Sequence, residues 1–325
     1  MRRSYLLVLL CFSLPAAGCS SAPDYWVEAK PTQKKILVSF PPLYSFTHAV
    51  AGEDAYVLCM LTTQGLHGHD MAQTDMLKVN KADLFIYNGL TLDDLFVDKM
   101  LRDHKNQSIL TLNVGKVLNE KHHDLMIHGE GHEHVVNGVK HTHGSHDPHV
   151  WLGPDRAIEM TKIIAEKLIA IDPSKEKGYR ARADKYVAEL KKLDAEGKAA
   201  FKGKNVKMVT MHEAFEYFAD AFDIKIVATI QKTPGLDPDA PNMVRLIKVC
   251  KDEKVSIIAV EPQYSEEKAK VLQADLLKAG INAKIVTLDP LETADVEKGK
   301  KFNPEPDIYL KKMRENIAAI VKALP

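Results

Sequence analysis

Residues 172–201 read DPSKEKGYRARADKYVAELKKLDAEGKAAF. Tyr179, Ala183, Tyr186, Leu190 and Leu193 follow one another at steps of 4, 3, 4 and 3, which puts them on one face of an α-helix. Asp172 stands at the N-cap position, and Pro173 in the first turn, where its missing N–H costs nothing. The opposite face is strongly charged. A helix running to Phe201 is roughly 40 Å long at about 1.5 Å per residue. With one apolar stripe and that length, it reads as a rigid bridge between two lobes.

The flanking sequence has the same rhythm on both sides. Before the bridge, strands are expected at Lys35–Phe40, Ala55–Leu61, Asp83–Asn88 and Ser108–Leu112. Helices are expected at Tyr44–Ala51, Met71–Lys81 and Thr91–Asp103. Pro41 and Pro42 read as the stop of the first strand. A further helix opens at Pro154, where Ala157, Met160, Ile164, Leu168 and Ile171 line one face. After the bridge, strands are expected at Val206–Thr210, Ile224–Thr229, Val255–Val260 and Ala283–Leu288. They alternate with helices at His212–Ala221, Asp239–Asp252, Ser265–Ala279 and Pro306–Ala323. This predicts an α/β fold: two lobes with mainly parallel sheets joined by one long rigid helix. The expected division is a leader at 1–19, a tether at 20–33, an N-terminal lobe at 34–171, the linker helix at 172–201 and a C-terminal lobe at 202–325.

The 325 residues are 45% hydrophobic and 27% charged with zero formal net charge, as in an ordinary water-soluble globular chain. No basic stripe points to nucleic acid. Arg2 and Arg3 precede the apolar run Tyr5–Leu14, which is too short to span a bilayer and reads as an export signal. Ala16-Ala17-Gly18-Cys19 then resembles a bacterial lipobox, with Ala16 where Leu is usual. The expectation is export to the periplasm or cell surface with a lipid on Cys19; plain signal cleavage near Gly18 is the alternative. Beyond the leader only Cys59 and Cys250 remain, and both read as buried structural thiols.

Residues 121–152 read KHHDLMIHGEGHEHVVNGVKHTHGSHDPHVWL. They hold His122, His123, His128, His132, His134, His141, His143, His146 and His149, out of 14 histidines in the whole chain. Imidazole is a frequent ligand for borderline metals and binds as the neutral ring. Residues 121–146 are polar without an apolar period and read as a mobile His-rich loop. Its eight histidines, His122 to His146, are candidates for weak secondary metal binding, against the plain reading of a solvated loop. His149 differs, being held between Pro148 and Val150-Trp151-Leu152, so it can belong to a preformed site.

Loops at the C-terminal ends of strands are where open α/β sheets bind ligands. Four such positions offer metal ligands: His67, His149, His212 and Asp289. Each also has an ordinary reading: a surface loop residue for His67, packing beside Trp151 for His149, a helix cap for His212 and a turn former for Asp289. His69 competes with His67. Glu261 either orients a ligand histidine through the second ring nitrogen or is a surface glutamate. His48 and His104 read as ordinary helix residues.

The runs Asp147-Pro148-His149-Val150-Trp151-Leu152, Ala82-Asp83-Leu84-Phe85-Ile86-Tyr87-Asn88-Gly89 and His212-Glu213-Ala214-Phe215 resemble the metal-binding lipoproteins of bacterial ABC importers. That is the zinc- and manganese-binding cluster of solute-binding proteins that includes ZnuA-like proteins. The likeness covers about Lys35 to Leu324. His67, Asp75 and Asp83 keep the family's spacing of eight and sixteen residues from its first histidine. His67-Gly68-His69-Asp70-Met71 departs from the family's His-x-Tyr-x-Pro. The resemblance implies two α/β lobes with a metal between them, held by His67, His149, His212 and Asp289. Three imidazoles and a carboxylate suit Zn²⁺; Mn²⁺ prefers more oxygen, and manganese members usually carry an acidic residue where this chain has His212. The expected function is a zinc receptor that delivers Zn²⁺ to an ABC permease, monomeric and not an enzyme. The alternatives are a zinc hydrolase and a periplasmic zinc buffer or adhesin.

Overall fold

In the computed structural model, which describes residues 23–67, 69, 71–128, 133–136, 139–142, 146–231 and 238–324, Pro41 and Pro42 do not merely end the first strand. They open the helix that follows it. Strand β1 (Lys34–Val38) passes almost directly into α1 (Pro41–Ala51), with both prolines in the first turn, where no N–H is needed. The alternation continues through β2 (Ala55–Cys59), α2 (Gln73–Val79), β3 (Leu84–Tyr87), α3 (Asp94–Asp103) and β4 (Leu110–Asn113). These strands form a parallel sheet in the order β2-β1-β3-β4.

A helix and a two-stranded hairpin between β4 and the bridge were not expected. Helix α4 (Val114–Lys121) starts where Asn113 accepts a hydrogen bond from the Lys116 backbone N–H. Within the stretch read as an unstructured loop, β5 (Glu133–Val136) pairs antiparallel with β6 (Val139–Thr142). The sequence signal for that hairpin was the Asn137-Gly138 dipeptide between valine-rich flanks. Helix α5 (Pro154–Ile171) then packs against the bridge, which is α6 (Glu176–Phe201) after a 3-10 turn at Pro173–Lys175. Tyr179, Ala183, Tyr186, Leu190 and Leu193 are all buried, as their spacing predicts.

The second lobe runs β7 (Lys207–Thr210), α7 (Glu216–Phe222), β8 (Lys225–Thr229), α8 (Ala240–Glu253), β9 (Ile257–Val260), α9 (Glu267–Lys278) and β10 (Lys284–Thr287). Its parallel sheet has the order β10-β9-β7-β8. Because side chains alternate across a sheet, the two faces separate cleanly. Met208, Ile257, Ala259 and Val286 join the core that contains lobe one, α5, α6 and α7. Val209, Ile258 and Val260 pack with α8 and α9 in a second core. At Gly197 the bridge comes so close to Phe222 that a Cβ would lie 2.2 Å from its ring, so only glycine fits there.

The last helix, α10 (Ile308–Ala323), packs on α6 and α1, so the C-terminal segment is not confined to the second lobe. The connection from β10 to α10 also crosses over. Asn303 accepts a hydrogen bond from the Cys59 N–H and donates to the Val57 carbonyl, taking the place of a neighbour on the edge strand β2. Ala294 donates to the Thr62 carbonyl, and the Thr62 hydroxyl donates to the Phe302 carbonyl. The stretch read as a tether is anchored at Trp26, which is buried and donates to the Lys78 carbonyl. Cys59 and Cys250 are both buried and unpaired. Among the described residues no helix is long and apolar enough to cross a membrane. The leader and Cys19 lie outside the described residues.

Candidate metal centre

His212 follows β7 and Glu261 follows β9, on neighbouring strands of the second sheet. The His212 ring nitrogen Nδ1 lies 2.6 Å from Glu261 Oε1, and Gln263 donates to the other Glu261 oxygen at 2.9 Å. His149 has a matching partner: its Nδ1 is 2.7 Å from Asp147 Oδ1, which also accepts from the His149 N–H. Asn88, at the end of β3, donates to the Pro148 carbonyl and holds the backbone next to His149. A carboxylate on Nδ1 fixes the tautomer and turns Nε2 outward as a donor. Both Nε2 atoms therefore point to one place.

His67, from the loop after β2, brings its own Nε2 to within 3.4 Å of His149 Nε2. The three ring centroids form a nearly equilateral triangle with sides of 5.4, 5.5 and 5.5 Å. The fourth group is Glu292, whose Oε1 lies 3.1, 3.6 and 3.6 Å from Nε2 of His67, His149 and His212. A tetrahedral ion with bonds of roughly 2.0–2.1 Å needs donors roughly 3.3–3.4 Å apart. The observed separations straddle that edge length. His212 Nε2 and Glu292 Oε1 are buried without a hydrogen-bond partner of acceptable geometry, which is the condition of ligands awaiting an ion. His149, His212 and Glu292 are buried, and His67 is the partly exposed member.

The electrostatics follow the same plan. Burial alone would lower the pKa values of His149 and His212, but Asp147 raises the first to about 9 and Glu261 the second to about 10. Burial would raise Glu292, yet the His67, His149 and His212 rings beside it hold it well below the usual carboxylate range. Without metal, protons on the His149 and His212 rings balance the buried acids. A divalent ion would replace those protons.

Three of the four residues singled out from sequence thus meet, and Asp289 does not join them. Its Oδ1 accepts the Leu291 N–H, its Oδ2 faces Lys312, and its backbone is gripped on both sides by the Asn316 amide. This is the turn-forming reading of an Asp-Pro pair. The turn passes through Leu291 at φ 62° and delivers Glu292, three residues on, to the ring triangle. Sequence reasoning missed Glu292; the available signal was a longer carboxylate in the same strand-end loop. His69 faces away from the triangle, with Nε2 3.1 Å from Asp75.

Of the loop histidines, His123, His128 and His146 also gather, with donor atoms within 4.8 Å of one another. They lie at the loop's neck, where the Asp147 N–H donates to the Ile127 carbonyl and the Tyr217 hydroxyl bridges Ile127 and Asp147. His122 instead faces Glu159 at 3.3 Å. His132 and His143 lie outside the described residues, and for His134 and His141 only the backbone pairing is described.

A family model described as zinc-uptake complex component A, periplasmic, matches residues 36–323. The zinc-binding protein AdcA of Streptococcus pyogenes serotype M1 is 31% identical over 98% of this chain, which spans 61% of that relative's length. The high-affinity zinc uptake system protein ZnuA of Bacillus subtilis is 28% identical, over 98% of this chain and 96% of its own. Among solved structures, Zn(II)-bound AdcA from Streptococcus pneumoniae superposes with a TM-score of 0.67 at 27% identity, over 90% of this chain and 57% of that one. A structure called ZnuA, at 20% identity and TM-score 0.71 over 90% and 96%, shares the fold.

Proposed function

This chain belongs to the ZnuA family of zinc-uptake components, and from that premise we propose that it is the receptor of an ABC importer, with Zn²⁺ as its cargo. The ligands are His67, His149, His212 and Glu292. The observation that carries this reading is the four-donor cluster with the edge lengths of a tetrahedron. Three imidazoles and one carboxylate match zinc, whereas manganese and other hard ions favour more oxygen. Four protein donors close the coordination shell, while a zinc hydrolase keeps one position open for water. The arrangement therefore favours binding and release over catalysis. Export, a lipid on Cys19, a monomeric state and an ABC permease as the receiving partner belong to the same proposal. The neck trio His123, His128 and His146 is its secondary site, of lower affinity because two of its rings are exposed.

Zinc-edge X-ray absorption on the one-equivalent complex tests the reading. Nitrogen and oxygen scatterers near 2.0–2.1 Å are expected, roughly the bond lengths typical of these ligands. Sulfur scattering, or undiminished tight binding by a His149→Ala/His212→Ala variant, would overturn it.

A further inference from the structure

His69 stands two residues beyond His67, and nothing in the metal centre uses it. Its side chain is nonetheless 6% exposed, with the ring edge-on to Phe96 at 5.1 Å and Nε2 3.1 Å from Asp75 Oδ2. That same Asp75 oxygen accepts the Ala72 N–H at the start of α2. The other Asp75 oxygen faces Lys78 at 3.4 Å, and Lys78 donates to the Met60 carbonyl at 2.6 Å. A side-chain relay thus runs from the end of β2 at Met60, through Lys78 and Asp75, to His69. It closes the loop that carries His67 onto itself. Inside this closure the His69 N–H meets the Leu66 carbonyl at 3.3 Å, and Leu66 is 1% exposed in the core. His67 therefore sits between an apolar anchor at Leu66 and a polar one at His69.

The other three members of the metal centre have rigid supports. His149 and His212 rest on carboxylates, and Glu292 on a turn held by Asn316. Among the described residues no carboxylate is found on the second ring nitrogen of His67, and it is the partly exposed member. An ion leaving the site most easily loses the ligand whose backbone is least restrained. What restrains His67 is the pair of anchors around it.

We propose that His69 is the latch of the His67 loop and sets the rate at which zinc leaves. It acts through position and never touches the ion. This rests on the zinc-receptor reading above. Freed from Asp75, the loop samples more conformations, and zinc binding must order them again. The cost appears as faster dissociation, since tuning of a fixed interface acts mostly on the off-rate.

The experiment uses the full chain loaded with one equivalent of zinc and mixed rapidly with an excess of a chromogenic chelator. His69→Ala should release zinc about ten-fold faster, at the lower end of the roughly 10–100-fold that loss of an outer support costs a metal site. His69→Gln, whose amide can still donate to Asp75, should return the rate close to that of the parent protein. X-ray absorption of the His69→Ala complex should show unchanged ligation. Should His69→Ala fail to fold, His69→Asn carries the same test, being polar but too short to span the gap. Parent-like release from the Ala or Asn variant overturns the latch, as does a Gln variant as fast as Ala. Loss of one nitrogen ligand overturns it too, by making His69 a ligand. Absence of a tight zinc phase in the parent protein overturns instead the receptor reading on which the latch depends.

Discussion

Asp289 and Glu292 are two carboxylates in one loop to which the proposed site gives different roles, and single substitutions separate them. Glu292→Ala removes a donor and should weaken zinc binding by more than the roughly 10–100-fold that loss of an outer partner costs. Asp289→Asn keeps an oxygen for the Leu291 N–H and should leave the affinity within a few-fold of the parent, by competition titration. Glu261→Gln should fall between them, at roughly 10–100-fold, because the His212 ring loses its charged support. The protons on His149 and His212 give the site a pH dependence. Unperturbed rings, with pKa near about 6.5, would place proton competition close to pH 6. In the folded chain the two values stand at about 9 and about 10. Raised values mean that the ring–carboxylate pairs stabilise the metal-free fold fully below the unfolded value. That contribution fades as pH rises through the folded values. Zinc affinity should do the reverse and keep rising from pH 6.5 to 9. Melting curves with and without zinc check this: the gap between them should widen over that interval.

At the level of elements, the neck of the His-rich segment is held by contacts of its own. Helix α4 and the 3-10 turn at His123–Leu125 are built, and the Arg156 guanidinium donates to the Leu125 carbonyl. Replacing residues 129–145 with two glycines should keep the His123, His128 and His146 trio, because the Ile127–Asp147 hydrogen bond already brings the ends together. Deleting 121–145 should abolish the trio along with the rest. Calorimetry on both metal-stripped proteins should then show one tight zinc in each, and a weaker additional site only in the shorter deletion. Loss of the tight phase from the shorter deletion would mean that the loop supplies primary ligands.

The whole molecule is braced by the connection from β10 to α10, which carries Glu292 on its way across lobe one. The Trp151 indole donates to the Pro290 carbonyl, and the Tyr309 hydroxyl donates to the Trp151 carbonyl, so the segment after His149 is tied to the turn before Glu292. Asn303 caps two backbone groups of the edge strand β2. Asn303→Ala leaves that N–H and carbonyl unpaired in a buried place and should cost on the order of 1–3 kcal/mol in urea unfolding. Zinc should more than offset the loss, since a ligand at about 1,000 times its Kd adds about 4.1 kcal/mol to the folded state.

Much of this architecture is written locally in the chain. The stripe from Tyr179 to Leu193, the alternation of short apolar runs with amphipathic ones, and the immobilised setting of His149 all depend on neighbours a few residues away, which is the range that periodicity reports. The same holds for the strand-end positions of His67 and His212, because loops at that end of a parallel sheet converge. Tertiary structure alone decided which carboxylate completes the cluster. Asp289 and Glu292 are both acidic and both follow β10; the choice is made by Asn316 on a distant helix and by a left-handed turn at Leu291. It likewise decided that Glu261 and Asp147 stand behind the rings and that His69 turns toward Asp75. These choices rest on the directions in which side chains point, some near in sequence and some brought together from far apart, and direction is a property that spacing along a sequence does not carry.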